Sequence, residues 1–198
     1  MCHPPGFMIV LVCSALCGVA EGQSVETRPV ARLISSTPAV TRPRRVASAT
    51  TEASIASPGK SPNIEDANPI EKKAFEQTNA ERAKSGFPPL IWDPDLCRMA
   101  RTNSENMARL GYFSHETPQG EKLRDRARAV GITRYTVIGE NIAYNFGYED
   151  PGAFAVERWM LSPGHRANIL YAGFKAMAVG SFIAADGSVF ITQTFITR

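Results

Sequence analysis

Apolar side chains three and four positions apart give this chain its clearest pattern. Over residues 94–110 they predict one buried helical stripe, made of Leu96, Ala100, Asn103, Met107 and Leu110. Asn103 is the polar exception on that stripe, and we interpret it as a core amide hydrogen-bonded to a loop. A similar helix is predicted over 121–130 and ends at Gly131. Its inward positions are Leu123, Ala127 and Val130.

Four helix starts are predicted where a capping side chain stands directly before a proline. The pairs are Asn68-Pro69, Asp93-Pro94, Asp150-Pro151 and Ser162-Pro163. A cap oxygen accepts a hydrogen bond from an unpaired amide of the first turn. A proline in that turn costs no hydrogen bond, because the N–H that it lacks would have had no partner. These pairs predict helices over 69–84, 94–110, 151–161 and 163–170.

The pattern changes its period near the end of the chain. Residues 176–184 are apolar at odd and even positions alike, which is typical of a strand covered on both faces. Asp186-Gly187 predicts a hairpin turn, and residues 188–197 then alternate as the returning strand. Helices followed by a terminal hairpin indicate an α+β layered sandwich.

The first part of the chain differs from the rest in composition. Residues 6–20 are almost continuously apolar but too few to span a bilayer, so residues 1–22 are predicted to be a cleaved secretory signal peptide. No Lys or Arg precedes the apolar run, which leaves an uncleaved anchor or a misplaced start codon as the alternatives. Residues 23–67 lack aromatic side chains and are mostly Ser, Thr, Pro and Ala, which predicts a disordered linker. Residues 68–198 are predicted to form a single domain.

Export places this domain outside the cytoplasm, either secreted, at the cell surface or in the periplasm, with no permanent membrane span. Of the four cysteines, only Cys97 lies outside the signal peptide, so no internal disulfide is expected and Cys97 is interpreted as a small buried group. The formal net charge is +3 without a run of basic residues, which argues against nucleic acid as a partner.

Two histidines and one carboxylate are the candidate chemistry of the domain. His115 lies in a predicted loop after the 94–110 helix, and Glu140 lies in a predicted loop before residues 142–144. His165 is the third residue of the predicted 163–170 helix, where the positive helix end disfavours imidazolium. Neutral imidazole is the form that binds metals and accepts protons.

If the fold brings His115, Glu140 and His165 together, they can hold a divalent metal and leave one coordination position open. The residues alone leave plainer interpretations. A histidine in a loop often makes hydrogen bonds and binds no ligand. A glutamate beside glycine and asparagine often accepts hydrogen bonds from the backbone.

Several sequence blocks in a fixed order carry a resemblance to a known family. The blocks are Thr78-Asn79-Ala80-Glu81-Arg82, Phe113-Ser114-His115, Gly139-Glu140-Asn141-Ile142-Ala143, Trp159-Met160-Leu161-Ser162-Pro163-Gly164-His165-Arg166, Val179-Gly180 and Thr192-Gln193-Thr194-Phe195. Over residues 68–198 the chain resembles the bacterial branch of the CAP superfamily, which comprises cysteine-rich secretory proteins, antigen 5 and pathogenesis-related 1 proteins. Their shared domain is also called the SCP domain.

This resemblance implies a three-layer α-β-α sandwich and a cleft with two histidines and two acidic residues. His115 and His165 match the histidines and Glu140 matches the first acid, so the three are the implied ligands of a divalent metal, zinc or magnesium. Ser162 stands where the second acid is expected. Glu157 is nearby in sequence, and we interpret it as a solvated helix charge.

Three functions stay open on the sequence. The first is a secreted module whose cleft binds a divalent metal and an extracellular ligand or partner, such as a lipid or a cell-wall component. The second is a metal-assisted extracellular hydrolase of peptide or cell-wall substrates, with Glu140 as general base. The third is a structural module without metal or chemistry. Phe146, Tyr148 and Phe154 could line a lipid groove, although core packing is the use we assign to them.

Overall fold

The structure is a computed structural model and describes residues 63–198. The predicted signal peptide and most of the predicted linker lie outside these residues. The last part of the predicted linker is ordered in the structure, because Ile64–Asp66 forms one turn of 3-10 helix. The side chain of Arg101 donates to the carbonyl oxygen of Asp66 at 2.9 Å, which ties this turn to the domain.

Five α-helices follow the predicted starts closely. They are α1 (Pro69–Lys84), α2 (Pro94–Leu110), α3 (Leu123–Ala129), α4 (Pro151–Leu161) and α5 (Pro163–Ile169). The side chains of Asn68, Asp93 and Asp150 accept hydrogen bonds from first-turn amides, as predicted. Ser162 makes no such side-chain bond, so the predicted cap is wrong there, although Pro163 does stand at the first position of α5.

Four strands form one sheet in the order β1-β3-β4-β2. Their bounds are β1 (Ile91–Trp92), β2 (Val137–Asn145), β3 (Ala176–Ile183) and β4 (Val189–Thr197). The predicted hairpin joins β3 to β4, and Gly187 at its turn has φ +84°, which favours glycine. The sequence did not predict β1 or β2, and β2 is the strand that carries Glu140.

The sheet lies between two layers of helices, so the α+β class and the α-β-α order are both confirmed. Helices α1, α4 and α5 pack on one face around Trp159 and Phe195. Helices α2 and α3 pack on the other face, where Leu96 and Ala127 meet Ala178 and other buried residues of the sheet. Residues alternate between the two faces along β3, as expected for a strand covered on both sides.

The structure confirms one predicted core position and corrects another. Cys97 is fully buried as predicted, and burial raises the pKa of its thiol to about 12. Leu110 was predicted to end the buried stripe of α2, but it is the last residue of that helix and is 53% exposed. No helix among residues 63–198 has both the length and the apolar character needed to cross a membrane.

Candidate functional site

Glu140 lies within β2 and not in the loop that the sequence predicted for it. It pairs with Thr194 of β4, and its side chain points toward the layer of α2 and α3. On the outer edge of β2, the Asn168 side chain donates to the Glu140 carbonyl oxygen at 3.2 Å. Strand β4 on one side and Asn168 on the other therefore fix the Glu140 backbone, which holds its carboxylate in one place.

The guanidinium of Arg126 is the main partner of this carboxylate. Arg126 Nη2 lies 2.9 Å from Glu140 Oε1 and 2.8 Å from Oε2, so one nitrogen bridges both oxygens. The side chains are only 6% and 3% exposed, respectively. A buried ion pair of this kind is strongly coupled, since removing either partner leaves an uncompensated charge inside the protein.

Asn103 completes the support of the ion pair. Its Oδ1 accepts from Arg126 Nη1, and its Nδ2 donates to Thr192 Oγ1 of β4 at 3.1 Å. Ser104 Oγ also donates to Thr192 Oγ1 at 3.0 Å. The prediction of a core amide is confirmed for Asn103, but its partners belong to α3 and β4 and not to a loop.

Sequence reasoning missed Arg126, although a signal for it was present. Arg126 stands three residues after Leu123 and one before Ala127, on the inward stripe predicted for its helix. Asn103 is the matching polar exception on the stripe of α2. Buried charged side chains are almost always paired, so a charge on an inward stripe predicts a buried partner.

His115 contacts the same carboxylate from the loop that follows α2. Its Nδ1 lies 2.9 Å from Glu140 Oε1, and its side chain is 22% exposed. A carboxylate accepts, so the geometry assigns the Nδ1 proton to the imidazole and leaves Nε2 as the acceptor nitrogen of the neutral ring. Glu140 thereby orients a partly exposed imidazole, while Arg126 holds Glu140 from the interior.

His165 is the third residue of α5, as predicted, and is 1% exposed. Its carbonyl oxygen accepts from Asn141 Nδ2 at 3.2 Å, and Asn168 Nδ2 donates to Asn141 Oδ1 at 2.9 Å. Helix α5 is therefore bonded to β2 at the residue beside Glu140. The structure brings His115 and Glu140 into direct contact. It places His165 on α5, in the helix layer of α1 and α4.

A row of aromatic rings runs from the loop that carries His115 to strands β2 and β4. The rings of Phe113 and Tyr144 are 6.4 Å apart, and those of Tyr144 and Phe190 are 5.0 Å apart. Phe113 is two residues before His115, and Tyr144 is 52% exposed. The prediction of core packing is wrong for Phe146 and Tyr148, which are 62% and 48% exposed because the chain leaves the sheet after β2.

The proposed metal ligands fit a metal poorly in this arrangement. Both oxygens of Glu140 accept from a guanidinium, which is itself a cation. Within residues 63–198, no group of three or more His, Cys, Asp or Glu side chains is placed to hold a metal ion. Ser162 replaces the second acid, and Glu157 is exposed to solvent on α4, as predicted. A zinc or magnesium site at His115, His165 and Glu140 stays a prediction.

The fold and the site together define a class of protein: an α-β-α sandwich in which a buried carboxylate of the sheet contacts a partly exposed imidazole from the loop after α2. A family model described as CAP, the cysteine-rich secretory protein family, matches residues 75–195. The chain belongs to this family, and the predicted resemblance is confirmed.

Bacterial proteins are among the relatives of this chain. It is 41% identical over 128 residues to the uncharacterized protein YkwD of Bacillus subtilis (strain 168), covering 65% of this chain and 47% of YkwD. It is 38% identical over 128 residues to the uncharacterized membrane protein YlbC of the same organism, covering 65% of this chain and 34% of YlbC. The chain thus spans less than half the length of these two curated relatives.

Solved structures agree with the family assignment. An extracellular protein with an SCP domain from Bacillus anthracis is 32% identical, with a TM-score of 0.59 over 67% of this chain and 42% of that one. An outer surface protein from Borrelia burgdorferi is 16% identical, with a TM-score of 0.58 over 64% of this chain and 91% of that one. The second likeness concerns the fold alone.

Proposed function

We propose that this protein is an extracellular CAP module that binds a ligand at the cleft around His115, without catalysing a reaction. The observation that carries the proposal is the contact between His115 and Glu140, in which a carboxylate held from inside orients a partly exposed imidazole. The predicted signal peptide and the extracellular description of the Bacillus anthracis protein support a location outside the cytoplasm, secreted or at the cell surface.

The border of the cleft favours a ligand with both apolar and hydrogen-bonding groups. Phe113 is 37% exposed and stands two residues before His115, and Tyr144 is 52% exposed with its ring 6.4 Å from that of Phe113, so the two rings offer apolar area to a ligand. Exposed apolar patches next to fixed polar groups are typical of binding sites. Cell-wall fragments and lipids share this chemistry, and either is available to a protein outside the cytoplasm.

The hydrolase alternative is disfavoured by the contacts of Glu140. Its Oε1 accepts from both Arg126 and His115, and its Oε2 accepts from Arg126. A general base must take a proton from water, and here that proton would have to displace charge-assisted hydrogen bonds. The same contacts suit a residue that positions a neighbour, so binding is the function that the geometry supports better.

Binding of the purified protein to isolated bacterial cell walls and to phospholipid vesicles tests the proposal. We expect one of the two materials to bind, and we expect His115→Ala and Tyr144→Ala each to weaken that binding about tenfold or more. Leu161→Ala is the matched control, because Leu161 is 66% exposed on α4 in the opposite layer. Equal binding by all variants, or no binding to either material, would contradict the proposal.

A further inference from the structure

Three oxygen atoms of the kind that hold divalent cations, two from Glu140 and one from Asn103, lie against the Arg126 guanidinium. Arg126 Nη2 lies 2.9 and 2.8 Å from the two carboxylate oxygens, and Nη1 meets the amide oxygen of Asn103. Carboxylate and amide oxygens are the usual protein ligands of hard divalent ions. In this chain all three of these oxygens accept hydrogen bonds from one guanidinium.

We propose that Arg126 is the resident cation of the cleft, so that Glu140 works without a divalent metal. An ion bound to Glu140 would lie beside the guanidinium in a buried setting, where like charges repel strongly. The positive charge that a metal would supply to the carboxylate is already present. This inference concerns the cleft of the proposed function, but it needs no ligand to be identified.

Burial and hydrogen bonds hold Arg126 in place, so its guanidinium stays at the Glu140 carboxylate and excludes a metal ion from it. Its side chain is 6% exposed, and it projects from the inward face of α3 beside the fully buried Ala127. Its partner Asn103 is in turn fixed by Thr192 on the central strand β4. Moving the guanidinium away would leave both it and Glu140 buried without a counter-charge.

The role of Glu140 then follows from its remaining contact. His115 Nδ1 lies 2.9 Å from Oε1, which is the arrangement by which a carboxylate orients an imidazole and fixes its tautomer. Arg126 and Glu140 are therefore positioning residues, and His115 is the group they present at the surface.

Zinc chloride and magnesium chloride, each added alone to the purified protein, test the inference by equilibrium dialysis and calorimetry. We expect that the wild-type protein shows no binding of zinc or magnesium that is lost when His115 or Glu140 is substituted. Arg126→Met removes the cation but keeps much of the side-chain volume, and it should bind zinc at least about tenfold more tightly than the wild type does. The gain should vanish in Arg126→Met/Glu140→Gln and should not occur in Arg126→Lys, which keeps the charge.

Arg128→Met is the matched control, since Arg128 lies on the same helix and its side chain is 74% exposed. Stoichiometric zinc or magnesium in the wild type that is lost in Glu140→Gln or His115→Ala would overturn the inference. A folded Arg126→Met variant with no gain in zinc binding would overturn it as well. If Arg126→Met does not fold, the comparison of wild type with Glu140→Gln still decides. Because no organic ligand is present, these results are independent of whether the cleft binds cell walls or vesicles.

Discussion

A buried guanidinium and a buried carboxylate face each other in the cleft, and each makes the burial of the other tolerable. Arg126 bridges both oxygens of Glu140, and the amide oxygen of Asn103 takes a further guanidinium hydrogen. The energetic role of such a pair is asymmetric. Forming it gains little over an apolar pair of the same size, whereas breaking it leaves a charge without a partner.

This asymmetry makes a prediction for stability. Arg126→Met should lower the free energy of unfolding by about 3–5 kcal/mol, measured by urea denaturation. Adding Glu140→Gln to that variant should restore part of the loss, because the orphaned charge is then removed. Arg128→Met should change stability by less than about 0.5 kcal/mol, since its side chain is 74% exposed. A loss in Arg126→Met as small as in Arg128→Met would refute the coupling.

A second prediction for a single residue concerns the Cys97 thiol. Burial raises its pKa to about 12, so at pH 8 only roughly one thiol in 10,000 is the reactive thiolate. Iodoacetamide should leave Cys97 unmodified in the native protein at pH 8 and alkylate it in 8 M urea within the same time, as read by peptide mass spectrometry. Rapid alkylation of the native protein would show that Cys97 is not buried on α2.

Among the secondary-structure elements, the junction of α1, α2 and β3 depends on one buried glutamate. Glu71 accepts from Arg101 through both oxygens, at 2.8 and 2.6 Å, and from the backbone amide of Ser181 at 3.0 Å. It also accepts from the amide of Asn68, which completes the capping box of α1. One carboxylate thus joins two helices to the sheet.

We expect Glu71→Ala to destabilise the protein by about 3–5 kcal/mol, because the buried amides and Arg101 lose their acceptor together. Glu76→Ala is the control, as Glu76 is exposed on the same helix and should cost less than about 0.5 kcal/mol. Thermal unfolding followed by circular dichroism compares the two. Similar melting temperatures for both variants would show that the junction does not depend on Glu71.

The elements also show what the sequence could and could not predict. Helix starts are local signals, since a cap and its proline are adjacent, and all five helices lie where predicted. Strand β2 was missed because Gly139, Glu140 and Asn141 break its apolar pattern. The side chains of Glu140 and Asn141 are nevertheless buried, because the distant residues Arg126 and Gln193 bind them. The pattern of apolar and polar residues along the chain does not show which distant side chains will become partners.

For the molecule as a whole, the packing of α3 and of the loop after α2 against β2 is what brings Arg126, His115 and Glu140 together. His115 follows α2, Glu140 lies on β2 and His165 lies on α5, in different layers of the sandwich. Residue types and family resemblance singled out these three positions in the sequence, and the structure shows direct contact between two of them, His115 and Glu140. The fourth participant, Arg126, follows from packing α3 onto the same face as α2, and that packing changes the expected chemistry of Glu140.

Chemical shift changes of the ¹⁵N-labelled protein test the ligand cleft most directly. A soluble cell-wall digest and, separately, lysophospholipid micelles are titrated into the protein. The account predicts that one of them shifts the amide signals of Phe113, His115 and Tyr144 first and most. Shifts centred elsewhere, such as the groove between α1 and α4 that Gln77 and Met160 line, or none with either material, would contradict it.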